Sequence, residues 1–346
     1  MANSVNGAFN EFLINEVNIE SVDSDTAKKS RDYLLNQIHI IASNGGFVPL
    51  ATSFDVSFGS FSRKTKITPL DDIDVIIGLN GNGCSMFKQK WDNVIVEIDR
   101  NSTNFALKKL CDKDYTNKYI LNSNKVKNKL LSELKKIPNY SKAELHARGE
   151  AVTLNLKSYS WNFDVVPAFY YTDETTKKGY YLIPNGNGNW KITNPKFEQE
   201  RISKLNVKFN NTVLTTIRLL KYWNRRGKMP NFTSYVLETI ALDYFDQAKH
   251  STFGNDNKDH DYPDMHFSGA LEYISAHIMM PIRDTKGIQN DINDLEINER
   301  VSIFRRAKSD YEKSRNAINA ELKEKNYKKS ISIWREIFGE RFPKYE

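Results

Sequence analysis

The hydrophobic period of this chain changes near residue 195, and that change limits its fold more than any other feature. Before it, apolar residues alternate with polar ones in short runs, the period of half-buried strands; after it they recur every three to four residues, the period of helices. In the first half, Phe54, Val56 and Phe58 alternate with Asp55 and Ser57, and a second strand follows at 72–78. Further strands are expected at 151–157, 161–169 and 180–183, the last ended by Pro184 and the Asn-rich turn 185–189. One helix is predicted over 25–43, where Ala27, Leu34, Leu35, Ile38 and Ile41 share a face and Asn44-Gly45-Gly46 ends it. The lysine-rich stretch 100–148 reads as mostly helical. In the second half, Val213, Leu214, Ile217, Leu220 and Trp223 form one stripe, 235–245 another, and 303–311 and 331–338 two more. The expected architecture is α+β: a mixed sheet with helices over 1–194, then a helical domain over 195–346. A cleft between two such halves is a common place for a ligand.

Composition narrows the class. The 346 residues are 39% hydrophobic and 12% aromatic, enough to build a core and against a disordered chain. No apolar run approaches the ~20 residues of a membrane span, and Met1-Ala2-Asn3-Ser4 does not open a secretory signal, so a cytoplasmic protein is expected. Two cysteines, Cys84 and Cys111, exclude a disulfide framework or a four-thiolate zinc site, and with no neighbouring His they read as inert thiols. The formal net charge of +7 is compatible with polyanionic ligands, but both signs are mixed along the chain and a mildly basic solvated surface is the better reading of it.

The segment with chemical content is Gly59-Ser60 followed by Asp72-Ile73-Asp74. Residues i and i+2 of a strand point to one face, so Asp72 and Asp74 project together while Ile73, Val75 and Ile77 face the core. Two carboxylates held that close repel unless a proton or cation lies between them, and a hard divalent ion such as magnesium suits oxygen donors. A strand running into Gly-Ser offers backbone N–H groups and a hydroxyl to a phosphate. Asp164 lies on a strand among Trp161, Phe163, Val165 and Val166, where a carboxylate needs a hydrogen-bond partner or a metal. Each piece alone is common; their order along the chain is specific.

Phe58-Gly59-Ser60-Phe61-Ser62-Arg63, Pro69-Leu70-Asp71-Asp72-Ile73-Asp74-Val75 and Trp161-Asn162-Phe163-Asp164-Val165-Val166-Pro167 resemble the active site of the polymerase-β-like nucleotidyltransferase superfamily. More narrowly, Arg218-Leu219-Leu220-Lys221-Tyr222-Trp223, Ser234-Tyr235-Val236-Leu237-Glu238, Ile282-Arg283-Asp284 with Asn290, and Trp334-Arg335-Glu336-Ile337-Phe338-Gly339 resemble the bacterial cGAS/DncV-like nucleotidyltransferases (CD-NTases) of CBASS anti-phage systems. The likeness runs from about residue 25 to 342 and departs at Thr285, where the pattern usually has proline.

The resemblance implies an enzyme that joins nucleoside triphosphates, ATP or GTP or both, into a cyclic di- or trinucleotide with release of pyrophosphate. It implies two Mg2+ ions, or Mn2+, on Asp72, Asp74 and Asp164, with Asp164 also placed to receive the acceptor hydroxyl's proton. Gly59, Ser60, Lys221, Ser234 and Tyr235 would bind nucleotide. Arg218, Lys221 and Arg225, at i, i+3 and i+7, share one basic helix face; most such triplets are the solvated face of an amphipathic helix, but the resemblance places Lys221 where similar enzymes contact the triphosphate. Tyr235 is as well read as a core tyrosine as a base-stacking one, and Ser234 as a helix cap or a phosphate contact. The implied partners are a separate effector switched by the cyclic product and a regulatory protein, with no membrane and no required nucleic acid. The alternatives are a template-independent nucleotidyltransferase acting on RNA ends or a small molecule, and a nucleic-acid-sensing or inactive nucleotide-binding module. The cluster Asp256, Asp259, His260, Asp261, Asp264 and His266 reads as a polar surface loop.

Overall fold

The computed structural model describes residues 2–113, 118–226, 230, 232–247 and 262–346. The chain divides into two compact units, Ser21–Arg63 with Pro69–Glu198, and Met1–Glu20 with Lys64–Thr68 and Gln199–Glu346. The second begins close to the change of period, but it also takes in the first 20 residues and a short stretch between the Gly-Ser turn and the paired aspartates. The expected boundary, 1–194 against 195–346, groups both with the sheet. The reason lies in a helix outside that expectation, Val5–Phe12, capped by Ser4 and burying Val5, Ala8, Phe9 and Phe12. Phe9 meets Trp334 and Phe342 edge-on at 5.0 and 5.1 Å, and Phe12 meets Tyr222 at 4.8 Å. Aromatic edges of this kind add to the area buried and tie the helix to the helical unit.

In the mixed unit, the helix Ser21–Ser43 buries Ala27, Leu34 and Ile38 and starts four residues before the expected position. The sheet runs in the order Val56–Phe58, Asp72–Gly78, Asn162–Thr172, Gly179–Pro184, Trp190–Thr193, Asn93–Ile98, Tyr119–Leu121, Cys111–Lys113. Cys84–Lys90 adds to Asn93–Ile98, and Ala151–Asn155 joins Asn162–Thr172 to Glu144–Arg148. The stretch 100–148 is therefore not mostly helical. It holds the helices Phe105–Lys108 and Ser123–Leu134, but also the strands Cys111–Lys113, Tyr119–Leu121 and Glu144–Arg148. Strands of three to five residues carry too few alternations to show a period, and pairing partners decide them. Asp72–Gly78 and Asn162–Thr172 pair in parallel along their whole shared length. Their other faces pack into the core through Ile73, Val75, Phe163 and Val165, all 1% exposed or less.

The helical unit is built on Thr212–Arg225, Ser234–Gln247, Pro263–His277, Ile297–Leu322 and Tyr327–Phe338. Trp223, Phe245, Phe267 and Trp334 are fully buried in it, and Trp223 Nε1 donates to Asp310 Oδ2 at 2.8 Å. Among the described residues no helix is long and apolar enough to cross a membrane.

Asp264 and His266 do not lie in a surface loop; both belong to Pro263–His277, whereas Asp256, Asp259, His260 and Asp261 lie outside the described residues. Asp264 is buried, and burial pushes its carboxyl up to about 6. Glu321 is pushed up to about 7 by burial and then by the charge of Asp264. A carboxyl whose pKa is raised in the folded state stabilises the fold at low pH, and that contribution is lost as pH rises through the folded value. The protein is therefore expected to be more resistant to denaturant at pH 5 than at pH 8. Asp264→Asn should reduce that difference by on the order of 1–2 kcal/mol, the window from pH 5 to about 6, and leave the part that Glu321 owes to its own burial. An unchanged pH slope in the variant would contradict this.

Candidate active site

The candidate site is assembled by strand register. On Asp72–Gly78, Asp72 and Asp74 lie two residues apart and share a face. The parallel partner sets Asn162 beside Asp72 and Asp164 beside Asp74. On the other flank, Phe58 pairs with Asp74, so the chain leaves its short strand beside this carboxylate and turns at once into Gly59–Ser62. Neighbouring strands stand about 4.8 Å apart, which brings three carboxylate-bearing positions onto one small patch of sheet.

Gly59 is required there for two reasons. Its φ is +72°, in the left-handed region, and a Cβ built on it would lie 1.7 Å from Asp74 Oδ2. Any side chain would displace that carboxylate. Ser60 follows in the same turn, Ser62 Oγ donates to the Ser57 carbonyl at 2.9 Å, and Arg63 pairs with Glu198 at 3.0 Å. Asp164 is half-buried, with Thr153 as its cross-strand neighbour on the far side. Burial raises its pKa and the charges of Asp72 and Glu150 add to that, while the Thr153 hydroxyl, donating to Oδ1 at 2.6 Å, opposes it.

As placed, these side chains do not form a ready cage: among the described residues, no three His, Cys, Asp or Glu side chains cluster so as to hold a metal ion. The donor set nevertheless fits a hard divalent cation, because it consists of three carboxylates on one face, one of them costly to ionise beside its neighbours. A cation there would relieve that cost.

Lys221, Ser234 and Tyr235 belong to the helical unit, and their surroundings differ from a solvated basic face. Lys221 is 8% exposed and pairs with Glu238, itself 2% exposed, at 2.5 Å. Its ammonium also donates to Thr65 Oγ1 at 3.3 Å, and Thr65 donates to Glu238 Oε1 at 2.9 Å. Arg218 is desolvated, which lowers its pKa, and its Nε has no hydrogen-bond partner among the described residues. Only Arg225 is exposed, donating to the Thr68 carbonyl at 2.5 Å. Ser234 is exposed at the first position of its helix. Tyr235 is half-buried; its hydroxyl donates to Asp284 Oδ1 at 2.7 Å, and Lys286 Nζ stands 4.1 Å above its ring. Asp284 also accepts the backbone N–H groups of Lys286, Ile288 and Gln289, so Tyr235 closes a loop built on one buried carboxylate. The departure at Thr285 has a role, since its hydroxyl accepts from Arg201 at 3.3 Å.

Sequence reasoning did not single out Thr65, Thr153 or Glu238 as partners of the site residues. Glu238 enters only within the motif Ser234–Glu238, and Thr153 shows only as the polar position of the strand Val152-Thr153-Leu154. Burial pushes the Cys84 and Cys111 thiols up to about 11 and 12, in keeping with inert cysteines. The 185–189 segment is a turn, with Asn185 N–H donating to the Asn189 carbonyl at 3.0 Å.

No protein-family model matches the chain. Among curated proteins it is 37% identical over 350 residues, covering the whole of both chains, to a probable cyclic nucleotide synthase of Bacillus cereus. It is 24% identical over 214 residues, 56% of this chain and 54% of the relative, to a cyclic AMP-AMP-AMP synthase of Acinetobacter. Among solved structures it matches Escherichia coli CdnC with ATP at a TM-score of 0.66 and 17% identity, covering 97% of this chain and 98% of that one. A mutant of the Vibrio cholerae di-nucleotide cyclase with ATP and GTP matches with the same TM-score at 10% identity, over 99% and 96%. These structural likenesses establish a common fold.

Proposed function

The chain belongs to the CD-NTases, nucleotidyltransferases that synthesise cyclic nucleotides, and on that footing we propose that its chemistry runs on the sheet face bearing Asp72, Asp74 and Asp164. The observation that carries this reading is the register that sets Asp164 beside Asp74, with Gly59 giving room for the Asp74 carboxylate. Asp72, Asp74 and Asp164 would hold two Mg2+ ions, or Mn2+. When bound, such ions neutralise the charge of a triphosphate and lower the pKa of an attacking ribose hydroxyl. Asp164, whose pKa is raised, would take that hydroxyl's proton. The Gly59-Ser60 turn would present N–H groups and a hydroxyl to phosphate oxygens, fixing the in-line geometry on which phosphoryl chemistry depends.

Ser234, Tyr235 and Lys221 are the proposed nucleotide contacts of the helical unit. For Lys221 this requires an exchange in which a triphosphate oxygen replaces the Glu238 carboxylate. For Tyr235 it requires stacking on the ring now covered by Lys286. Substrates would be ATP, GTP or both, and the product a cyclic di- or trinucleotide that switches a separate effector in anti-phage defence. A regulatory protein partner fits the same reading, since the CdnC relative has been solved as a CdnC:HORMA-deltaN complex. The proposed setting is the cytoplasm. Incubating the protein with all four nucleoside triphosphates and Mg2+, without nucleic acid, should give phosphatase-resistant product. Phosphatase-sensitive chains that grow on an added RNA primer would instead identify a tailing enzyme.

A further inference from the structure

We infer that Thr153 is a positioning residue for the third aspartate: its hydroxyl anchors one oxygen of Asp164 so that the other is presented to a divalent cation shared with Asp72 and Asp74. This rests on the assignment of the three aspartates to the active site. Thr153 is the direct antiparallel neighbour of Asp164, just as Asp74 is its parallel neighbour, so Asp164 stands between a carboxylate and a hydroxyl in one row of the sheet. The anchor is a short charge-assisted bond, 2.6 Å from Thr153 Oγ1 to Asp164 Oδ1.

The strand holding Thr153 has little freedom. Val152 and Leu154 are fully buried on its opposite face, which fixes the register, and a β-branched side chain is stiff about χ1. The anchor also has a task. It fixes one oxygen of Asp164 in the row that also holds Asp74, so the carboxylate cannot turn without breaking the bond that Thr153 donates. Residues that orient a metal-binding carboxylate typically matter ten- to hundredfold in metal affinity when replaced.

The test uses Mn2+ alone as the probe, titrated into the nucleotide-free protein and followed by electron paramagnetic resonance, beside the Mg2+ dependence of turnover. Thr153→Val keeps the shape and removes the hydroxyl; Thr153→Ser keeps the hydroxyl. The Val variant should bind Mn2+ roughly ten- to hundredfold more weakly and need correspondingly more Mg2+ for half-maximal rate, while the Ser variant retains both properties. Thr153→Ala serves as the hydroxyl-free variant if the Val protein does not fold. Wild-type Mn2+ affinity in the hydroxyl-free variant, or an equal loss in the Ser variant, would overturn the inference. Asp164→Asn separates the two claims. If it still makes product, the active-site assignment fails; if it is inactive while Thr153→Val matches the parent, only the role of Thr153 fails.

Discussion

Replacing both Asp72 and Asp74 with Asn is expected to abolish product formation while leaving the fold intact. The two side chains share one face of Asp72–Gly78 and, with Asp164, would supply the carboxylates of the metal site. Metal ions contribute several kcal/mol of charge stabilisation to reactions of this type, so losing them should slow turnover by about a thousandfold or more. Asn has nearly the volume of Asp, and removing two like charges relieves repulsion, so the metal-free melting temperature should hold or rise. Rates with triphosphates and Mg2+, read beside a thermal melt, check both halves. A folded double variant that still forms oligonucleotides would remove Asp72 and Asp74 from the mechanism.

The second large effect concerns stability. Lys221 and Glu238 form a buried ion pair with Thr65 hydrogen-bonded to both, so Lys221→Ala would strand a buried carboxylate. Breaking such a pair from one side typically costs about 3–5 kcal/mol, whereas replacing both partners by apolar residues is often close to neutral. Lys221→Ala should therefore unfold at markedly lower denaturant, and Lys221→Met combined with Glu238→Leu should recover most of the loss. On the solvated basic face that helical spacing suggests, the same substitution would be nearly neutral for stability. Equal denaturation midpoints for parent and Lys221→Ala would return the lysine to a solvated face.

The contrast between these two sites shows what can be read from a sequence. Asp72 and Asp74 were placed on one face because a strand has a period of two, and nothing distant can change that within Asp72–Gly78. Asp164 stood out because a carboxylate among aromatic and branched neighbours demands a partner. Its placement beside Asp74 depended on a parallel register that no local pattern encodes. For Arg218, Lys221 and Arg225, helical spacing correctly gave a shared side, but not whether water or Glu238 lay beyond it. Thr65 belongs to a five-residue stretch, Lys64–Thr68, that is polar in sequence yet is held in the helical unit by Thr65 and Ile67, 0% and 2% exposed. The helix Val5–Phe12, capped by Ser4 with Phe9 and Phe12 on one stripe, is too short to stand out in the sequence beside the longer stripes downstream. Asn93–Ile98 carries the period of two in Val94, Val96 and Ile98, but Cys84–Lys90 escapes a sequence reading for a different reason. It exposes almost every side chain, and pairing to its neighbour, not burial, makes it a strand.

Ring closure at the aspartate face would show in the mass of what the purified protein makes from ATP, GTP, CTP and UTP with Mg2+. The expected products resist phosphatase, form without any nucleic acid, and have masses of two or three nucleoside monophosphates less one water for each linkage, ring closure included. Linear products retaining a 5′-triphosphate, with no ring formed on longer incubation, would contradict ring closure.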